Sequence, residues 1–451
     1  MFALSIGAIA MPETTMFNEL AIALNDQIQA VNPVAYEMLS ALGQRIYFPS
    51  KGILSQSAEA RTLAKKFNAT IGTALLNHQA MCLPCVMDSL PDFSPNDALL
   101  YAPSYGQKPL REAWKEKILH DNPSLGTVPF SLPVVTNGLS QALSLAGDLF
   151  LDPGDSVLIP NMNWDNYILN FSDRLQTNLH FFPFFLASHL NTTAFAEALG
   201  SYSAGQKVFV ILNFPNNPTG YTPLEVEAQA LADALLTTAE RGVKVVALID
   251  DAYYGLFFDP ACQQESLFCK IAGKSRNLLA IKADAATKEC YVWGLRTGFL
   301  SFAIGGAEND SPLFSALEAK TAGLIRATIS NCSALSQKII TKALTSGKFY
   351  EQRAANVAIM HERCNAVTKT LAEHPEYREQ FIAYPFNSGY FMCLKILKTT
   401  TAKLRRRLLD HYATGGIAMS DTDFRLAFSC VEKEQIPELF ATIYQACKDL
   451  A

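Results

Sequence analysis

The stretch "DAATKECYVWGLRTGF" (284–299) carries one amine and one guanidinium, Lys288 and Arg296, eight residues apart in a mostly small and apolar run. An enclosed amine near another cation has a lowered pKa and can form a Schiff base with an aldehyde. A guanidinium can hold a phosphate through two parallel hydrogen bonds. Two ordinary surface cations would read the same in isolation. Arg425 sits inside "DFRLAFS", an apolar run at strand spacing. An arginine placed there calls for an anion, and a carboxylate is the natural guest. Asp250, opening "DDAYYG", follows an apolar run. A carboxylate at a buried strand's end is costly without a cationic partner, such as a protonated ring nitrogen. Capping a helix is the plainer use. "NFPNNPTG" (213–220) crowds Asn, Pro and Gly into an otherwise apolar setting. Its amides need partners, and Asn216 and Asn217 could orient a ligand's oxygen. In "NGLSQAL", Gly138 opens a helix-like segment whose first N–H groups suit a phosphate, although a simple strand-to-helix turn looks alike. Trp164 and Tyr167, in "NMNWDNY", could stack on a flat ring or pack two lobes together.

The elements that must position these residues are short apolar runs of buried-strand type. They are 132–136, 156–160, 207–212, 243–249, 277–283 and 297–304. Helix-like segments at 138–150 and 223–241 lie between them. A further helix is expected over 106–120, with Leu110, Trp114 and Ile118 on one face. Strands alternating with helices predict a mostly parallel α/β sheet with helices on both faces. After about residue 345 the pattern changes. Amphipathic helices at 350–373, 401–413 and 433–449 flank "GYFMCLKI" and "DFRLAFS", which reads as a second, α+β lobe. Residues 17–66 carry two helix-like patterns around "YFPSKGI". Ligands of open α/β sheets bind beyond the carboxyl ends of the strands. The candidate residues follow those ends.

With 451 residues, 49% hydrophobic and 18% charged, the chain has ample core for two or three lobes. A net charge of −5 lacks the basic footprint of a nucleic-acid binder. The longest apolar run, "MFALSIGAIAM", is too short to span a bilayer, and no basic residue precedes it as in a signal peptide. The ten cysteines, with Cys82 and Cys85 in "CLPC", read as reduced thiols of a cytoplasmic protein. None of the seven histidines has metal-ligand spacing, so no metal is expected.

Taken together, the strand ends offer a phosphate cup, a ring-stacker, an orienting amide, a carboxylate and an amine. One arginine suits a phosphate and another a carboxylate. That set matches pyridoxal phosphate plus an amino acid. The chain resembles the class I/II aminotransferases of fold type I, the family of aspartate aminotransferase. "NNPTG", "DDAY", the lysine followed by "WGLRTG", and "FRLAFS" occur in the family's order, from about Tyr101 to Arg425. The resemblance implies a mostly parallel seven-stranded sheet flanked by helices, plus a smaller α+β domain. Residues 1–100 would be an N-terminal segment of the small domain, 101–344 the large cofactor-binding domain and 345–451 the C-terminal small domain.

By the same resemblance, Lys288 is the Schiff-base lysine; Lys282 is not, because Arg296 stands at the family's offset from Lys288. Arg296 is the phosphate-binding arginine, and Asp250 the partner of the pyridinium nitrogen. Tyr253 and Asn217 bond the phenolic oxygen, and Trp164 stacks on the ring. Gly138, Leu139 and Ser140 cup the phosphate. Tyr101, in "YAPSYGQKPLREA", resembles the tyrosine that reaches the phosphate across a dimer interface, which implies a homodimer. Arg425 resembles the clamp on the substrate α-carboxylate, with Asn217 beside it. Arg326, in "LIRATISN", is similar to the arginine that enters the partner's site to bind a side-chain carboxylate. The implied reaction moves an amino group from an L-amino acid to a 2-oxo acid, with 2-oxoglutarate the expected acceptor and aspartate or an aromatic amino acid the favoured donor.

The sequence also departs from the family. Ala285 stands where a phosphate-binding Ser is common, so Thr287 is expected to take part of that role. Ser388 stands where many members have Gly or Lys. "NATIGTALLNHQAM" replaces the usual N-terminal signature, and from it Ile71, Gly72 and Ala74 are expected to line the site. A β-lyase or decarboxylase would use the same residues. A ligand-sensing regulator on this fold would carry a basic DNA-binding segment, and residues 1–70 show none.

Overall fold

The structure is a computed structural model that describes residues 17–47, 52–309 and 311–451. The apolar run 1–11 and residues 48–51 of "YFPSKGI" lie outside the described residues. The described chain forms two compact units, one ending at Gly52 and one running from Ile53 to Ala451. In the first, helix Glu19–Val31 is capped by Asn18, and helix Ala41–Arg45 by Ser40. The buried Asn25 ties them by donating to the Gln44 carbonyl at 2.9 Å.

In the second unit, the apolar runs become seven strands: β1 (Val134–Thr136), β2 (Ser156–Pro160), β3 (Asn178–Phe182), β4 (Lys207–Asn213), β5 (Lys244–Asp250), β6 (Leu278–Ala285) and β7 (Gly298–Ile304). Their spatial order is β1-β7-β6-β5-β4-β2-β3. β7 runs antiparallel to β6 and β1, and the other pairings are parallel. β4 to β7 are buried almost throughout, which is why they read as unbroken apolar runs. β3 has no such run. It is an edge strand with three of its five residues exposed, and the hydrophobic pattern gives it no signal.

Helices cover the sheet close to the expected positions: Lys108–Asp121, Leu139–Phe150 and Glu225–Glu240. Leu110, Trp114 and Ile118 of the first are all buried. The C-terminal lobe holds a second sheet of β8 (Phe381–Ala383), β9 (Phe391–Ile396), β10 (Ile417–Ala418) and β11 (Asp423–Ala427), antiparallel in the order β8-β9-β11-β10. Helices Phe349–Glu373, Thr401–Tyr412 and Ile436–Lys448 accompany it. The chain after Ile53 also reaches this lobe. Phe67 and Asn68 pair with Thr414 and Gly415, and Ala427 N–H donates to the Ala69 carbonyl at 2.9 Å.

The "NNPTG" loop after β4 is clamped onto the second lobe. Asn387 and Ser388 N–H groups both donate to the Gly220 carbonyl at 2.9 Å. Gly220 has φ +70°, and a Cβ there would lie 1.9 Å from the Phe391 carbonyl oxygen, so only glycine fits. Ser388 is buried and bonds Thr222 Oγ1 at 2.8 Å. The departure noted at 388 therefore serves the loop-to-lobe contact. Among the described residues no helix is long and apolar enough to cross a membrane.

Candidate active site

β4, β5 and β6 end at a cavity of about 250 Å³ that also meets β9 and β11. Asp250 closes β5 and is paired in register with Asn213, which closes β4. Asn213 Nδ2 donates to Asp250 Oδ1 at 3.1 Å, Tyr167 Oη to Oδ2 at 2.6 Å, and Ala252 N–H to Oδ1 at 3.0 Å. Burial still raises the carboxyl's pKa against these donors and Lys288. Asp250 is 1% exposed and has no ion pair among the described residues. A cation is the partner that would relieve it.

Lys288 stands on the single helical turn Ala286–Glu289 that follows β6 directly. Its ammonium lies 4.4 Å from the centre of the buried Tyr253 ring. Burial pushes the amine down to about 8, with Arg296 adding to the effect and Asp250 opposing it. Burial also raises the Tyr253 phenol.

Arg296 has a left-handed backbone, φ +50°, and Nη1 donates to the Trp293 carbonyl at 3.3 Å. Its guanidinium packs on Gly138, where a Cβ would lie 2.4 Å from Nη2 and φ is +77°. Gly138 is the N-cap of helix Leu139–Phe150 and supplies no side-chain cap. The first N–H groups at Leu139 and Ser140 therefore remain for an anion beside the guanidinium. Leu139, Ser140 and Thr287 line the cavity there. Ala285 is buried in register with Gly298 and brings no hydroxyl, as its side chain dictates.

The cavity is also lined by Arg425, which comes from β11. Nη1 donates to Asn217 Oδ1 at 2.9 Å, Nη2 donates to the Thr70 carbonyl at 3.1 Å, and the guanidinium lies 4.2 Å from the Phe391 ring centre. Nε has no partner. Arg425 is 2% exposed, and burial lowers its pKa. It has no ion pair among the described residues. A buried guanidinium with an idle N–H and no carboxylate suits an anion.

Of the expected residues, Lys288, Asp250, Tyr253, Asn217, Trp164, Leu139, Ser140, Thr287, Arg296, Arg425 and Gly72 all line this one cavity. Gly138 stands directly behind Arg296. Ile71 and Ala74 do not line it; Ala74 is fully buried. Tyr101 and Arg326 are exposed and also lie outside it, with Arg326 Nη1 donating to Ser330 Oγ at 2.6 Å. Sequence reasoning gave Tyr167 no role as a partner of Asp250 and passed over Asn213, Phe391 and Ile53. Asn213 had a signal, as the polar last residue of an apolar strand. Tyr167 shared the strand-end segment with Trp164. Phe391 and Ile53 look like any core residue. Among the described residues no cluster of His, Cys, Asp and Glu could hold a metal. All ten cysteines are free thiols.

A seven-stranded sheet with one reversed strand, with a lysine just past β6 and a carboxylate at the end of β5, is the architecture of fold type I. The sequence pattern of the family described as aminotransferase class I and II matches residues 64–443, and the chain belongs to that family. It is 27% identical to 2-aminoadipate transaminase of Thermus thermophilus over 369 residues, 78% of this chain and 82% of that one. It is 22% identical to the cytoplasmic aspartate aminotransferase of Saccharomyces cerevisiae over 245 residues, 52% of this chain. That alignment spans 57% of the yeast enzyme's length. The crystal structure of an aminotransferase from Anaerococcus prevotii superposes with a TM-score of 0.78 at 22% identity, over 90% of this chain and 98% of that one, and shares its fold. The family's cofactor is pyridoxal 5'-phosphate. The cavity suits it at both poles, with a glycine-cleared cradle under Arg296 and a buried carboxylate lacking a cation at Asp250.

Proposed function

We propose that the protein is an aminotransferase that moves the amino group of an L-amino acid to a 2-oxo acid, with 2-oxoglutarate as acceptor. The observation that carries this reading is one cavity lined by Lys288, by a carboxylate without a cation, Asp250, and by a guanidinium without an anion, Arg425. Bound pyridoxal phosphate would supply an aldehyde for the amino group and a ring that accepts the electrons of the broken Cα–H bond. Arg296, Ser140, Thr287 and the N–H groups at Leu139 and Ser140 would hold its phosphate. Trp164 would cover the ring, and Tyr253 and Asn217 would bond its phenolic oxygen. Asp250, oriented by Tyr167 and Asn213, would keep a proton on the ring nitrogen. Arg425 fixes the substrate carboxylate. Lys288 Nζ takes the α-proton, a task suited to an amine that titrates near the working pH.

Phe391 packs on Arg425 and Gly72 lies against Phe391, Ile53 adds further apolar lining, and among the described residues no cation lines the cavity except Lys288, Arg296 and Arg425. This lining favours an aromatic donor over aspartate, which would need Arg326 from a second copy. A homodimer is part of the proposal. Leu99, Leu100 and Tyr101 are 79%, 61% and 92% exposed, an apolar run that a second copy would cover. The free thiols agree with a cytoplasmic setting.

Borohydride reduction with pyridoxal phosphate should label the Lys288 peptide, and Lys288→Ala should abolish the label. A label on another lysine overturns the site assignment. In a donor panel with 2-oxoglutarate, tyrosine and phenylalanine should outperform aspartate. Release of ammonia and an oxo acid without an acceptor would mark a lyase instead.

A further inference from the structure

Asp250 and Lys288 both face the cavity, and each is followed by a carboxylate held in ion pairs away from it. Asp251 pairs with Lys282 and accepts from Ser266 Oγ at 2.6 Å. Lys282 also pairs with Asp284 at 2.7 Å, which accepts the Trp114 indole N–H at 3.4 Å. Glu289 pairs with Lys117, which reaches Asp121 at 2.9 Å. Arg353 holds Asp121 at 2.8 Å and stands 3.6 Å from Glu289. The Tyr254 ring joins the two halves, 5.4 Å from Lys117 and 5.0 Å from Lys282. Every charged group in this cluster except Arg353 has a side chain less than 5% exposed. None of them lines the cavity.

Such a cluster is a poor source of stability, because apolar side chains of similar volume would often serve as well or better. Its position suggests another use. The turn Ala286–Glu289 is four residues long and has no side-chain N-cap. It is followed by Tyr291 and Arg296, both with left-handed backbones at φ +55° and +50°. Local backbone bonds brace the turn, with Val292 N–H donating to the Thr287 carbonyl at 3.0 Å and Ala286 N–H to the Thr297 carbonyl at 3.1 Å, but a single turn flanked by left-handed residues has little stability of its own, which leaves room for a tie to a neighbouring helix. Glu289 is the next residue. Its pair with Lys117 ties the turn to helix Lys108–Asp121, and Arg353 approaches from helix Phe349–Glu373.

We propose that Glu289 is a positioning residue for Lys288: its ion pair with Lys117, backed by Arg353, fixes the turn that aims the reacting amine. The proposal rests on the reading of Lys288 given above, and the labelling experiment separates the two. Glu289→Ala should fold and still take the borohydride label on Lys288. Its kcat should fall roughly 10- to 100-fold, as for a slight misplacement of a reacting group. KM for the amino acid should stay within about twofold, because Arg425 is untouched. In the apoprotein, the pH midpoint for trapping pyridoxal phosphate on Lys288 should move by about half a pH unit or more, since a neighbouring charge and the amine's surroundings both change. Glu289→Gln, which still offers Lys117 an acceptor, should recover much of the kcat. A lower melting temperature with wild-type kcat per labelled site and an unmoved midpoint would show a merely structural role and overturn the proposal. If Glu289→Ala does not fold, the double variant Lys117→Met/Glu289→Met removes both charges while keeping the volume. It should lose kcat to the same extent, and wild-type kcat in it overturns the proposal equally. A wild-type label on some other lysine would instead defeat the reading of Lys288.

Discussion

Replacing Arg425 by glutamine removes the guanidinium while leaving a polar side chain between β11 and the "NNPTG" loop. Arg425 spends one N–H on Asn217 and one on Thr70, and the remainder, Nε among them, are available to a guest. A hydrogen bond to a charged group is worth about 1.5–3 kcal/mol, so a two-point hold on a carboxylate is worth roughly 3–6 kcal/mol. At about 1.4 kcal/mol per tenfold, kcat/KM for an amino acid should fall roughly 10²- to 10⁴-fold. The substrate carboxylate keeps its charge throughout the reaction, so most of the loss should fall on KM. The variant also leaves two buried acceptors short of donors while relieving a buried unpaired charge. These effects oppose each other, and thermal stability should change little. The assay compares wild type and variant on an amino acid and on the corresponding amine without a carboxylate. The amine should react slowly with both and show no further loss in the variant. An equal loss on both substrates would mean that Arg425 acts by holding Asn217 and Thr70, and the carboxylate assignment would fail.

Two more outcomes follow from groups that burial or crowding constrains. Burial holds the Lys288 amine near 8 against its ordinary 10.5, so between those pH values the unfolded chain binds a proton that the folded chain does not. Apoprotein stability should therefore rise with pH over that interval, and the cost of about 3 kcal/mol is present in full below it. Lys288→Met should stabilise the apoprotein at pH 7 by up to that amount, with the advantage fading toward pH 10.5; denaturant titrations showing a pH-independent difference would contradict a desolvated amine. Gly138→Ala places a methyl 2.4 Å from Arg296 Nη2 at φ +77°. Strain of about 1–3 kcal/mol should raise the Kd for pyridoxal phosphate roughly 5- to 150-fold, measured by absorbance titration of the apoprotein, and an unchanged Kd would remove the phosphate from this cradle.

What sequence could deliver depended on how each residue does its work. β4 to β7 were legible because strands buried on both faces are continuous apolar runs, whereas β3 was not, because an edge strand such as "NLHFF" keeps most of its side chains in partial contact with water. Lys288, Asp250 and Arg425 were legible because a charge at or inside an apolar run is costly without a partner. Tyr167 and Glu289 were not, because their roles rest on contacts with residues far away in the chain: Asp250 is 83 residues from Tyr167, and Lys117 is 172 residues from Glu289. No local pattern records such pairs. Tyr101 and Arg326 belong to a third kind, residues whose expected work needs a second copy of the chain.

The partnering of buried charges sharpens the case for the site. Among the described residues the buried arginines and lysines are Arg111, Lys117, Lys282, Arg363 and Arg425. Arg111 pairs with Glu318, Lys117 with Asp121 and Glu289, Lys282 with Asp251 and Asp284, and Arg363 with Glu432. Arg425 pairs with none. The buried carboxylates show the mirror image. Asp251, Asp284 and Glu289 are paired with lysines, while Glu227 accepts from Tyr221, Leu190 and Leu224 and has His189 at 3.6 Å. Asp250 has hydroxyl, amide and backbone donors but no ion pair. A chain that compensates its other buried charges leaves one of each sign facing the same cavity, and does not let them neutralise each other. Leaving both unpaired is costly unless the missing partners arrive with ligands. The missing partners are an anion for Arg425 and a cation for Asp250, and the amine of Lys288 suits an electrophile. A carboxylate-bearing amine and a cofactor with a protonated ring nitrogen and an aldehyde meet all three demands. A single uncharged ligand would meet neither of the two charge demands.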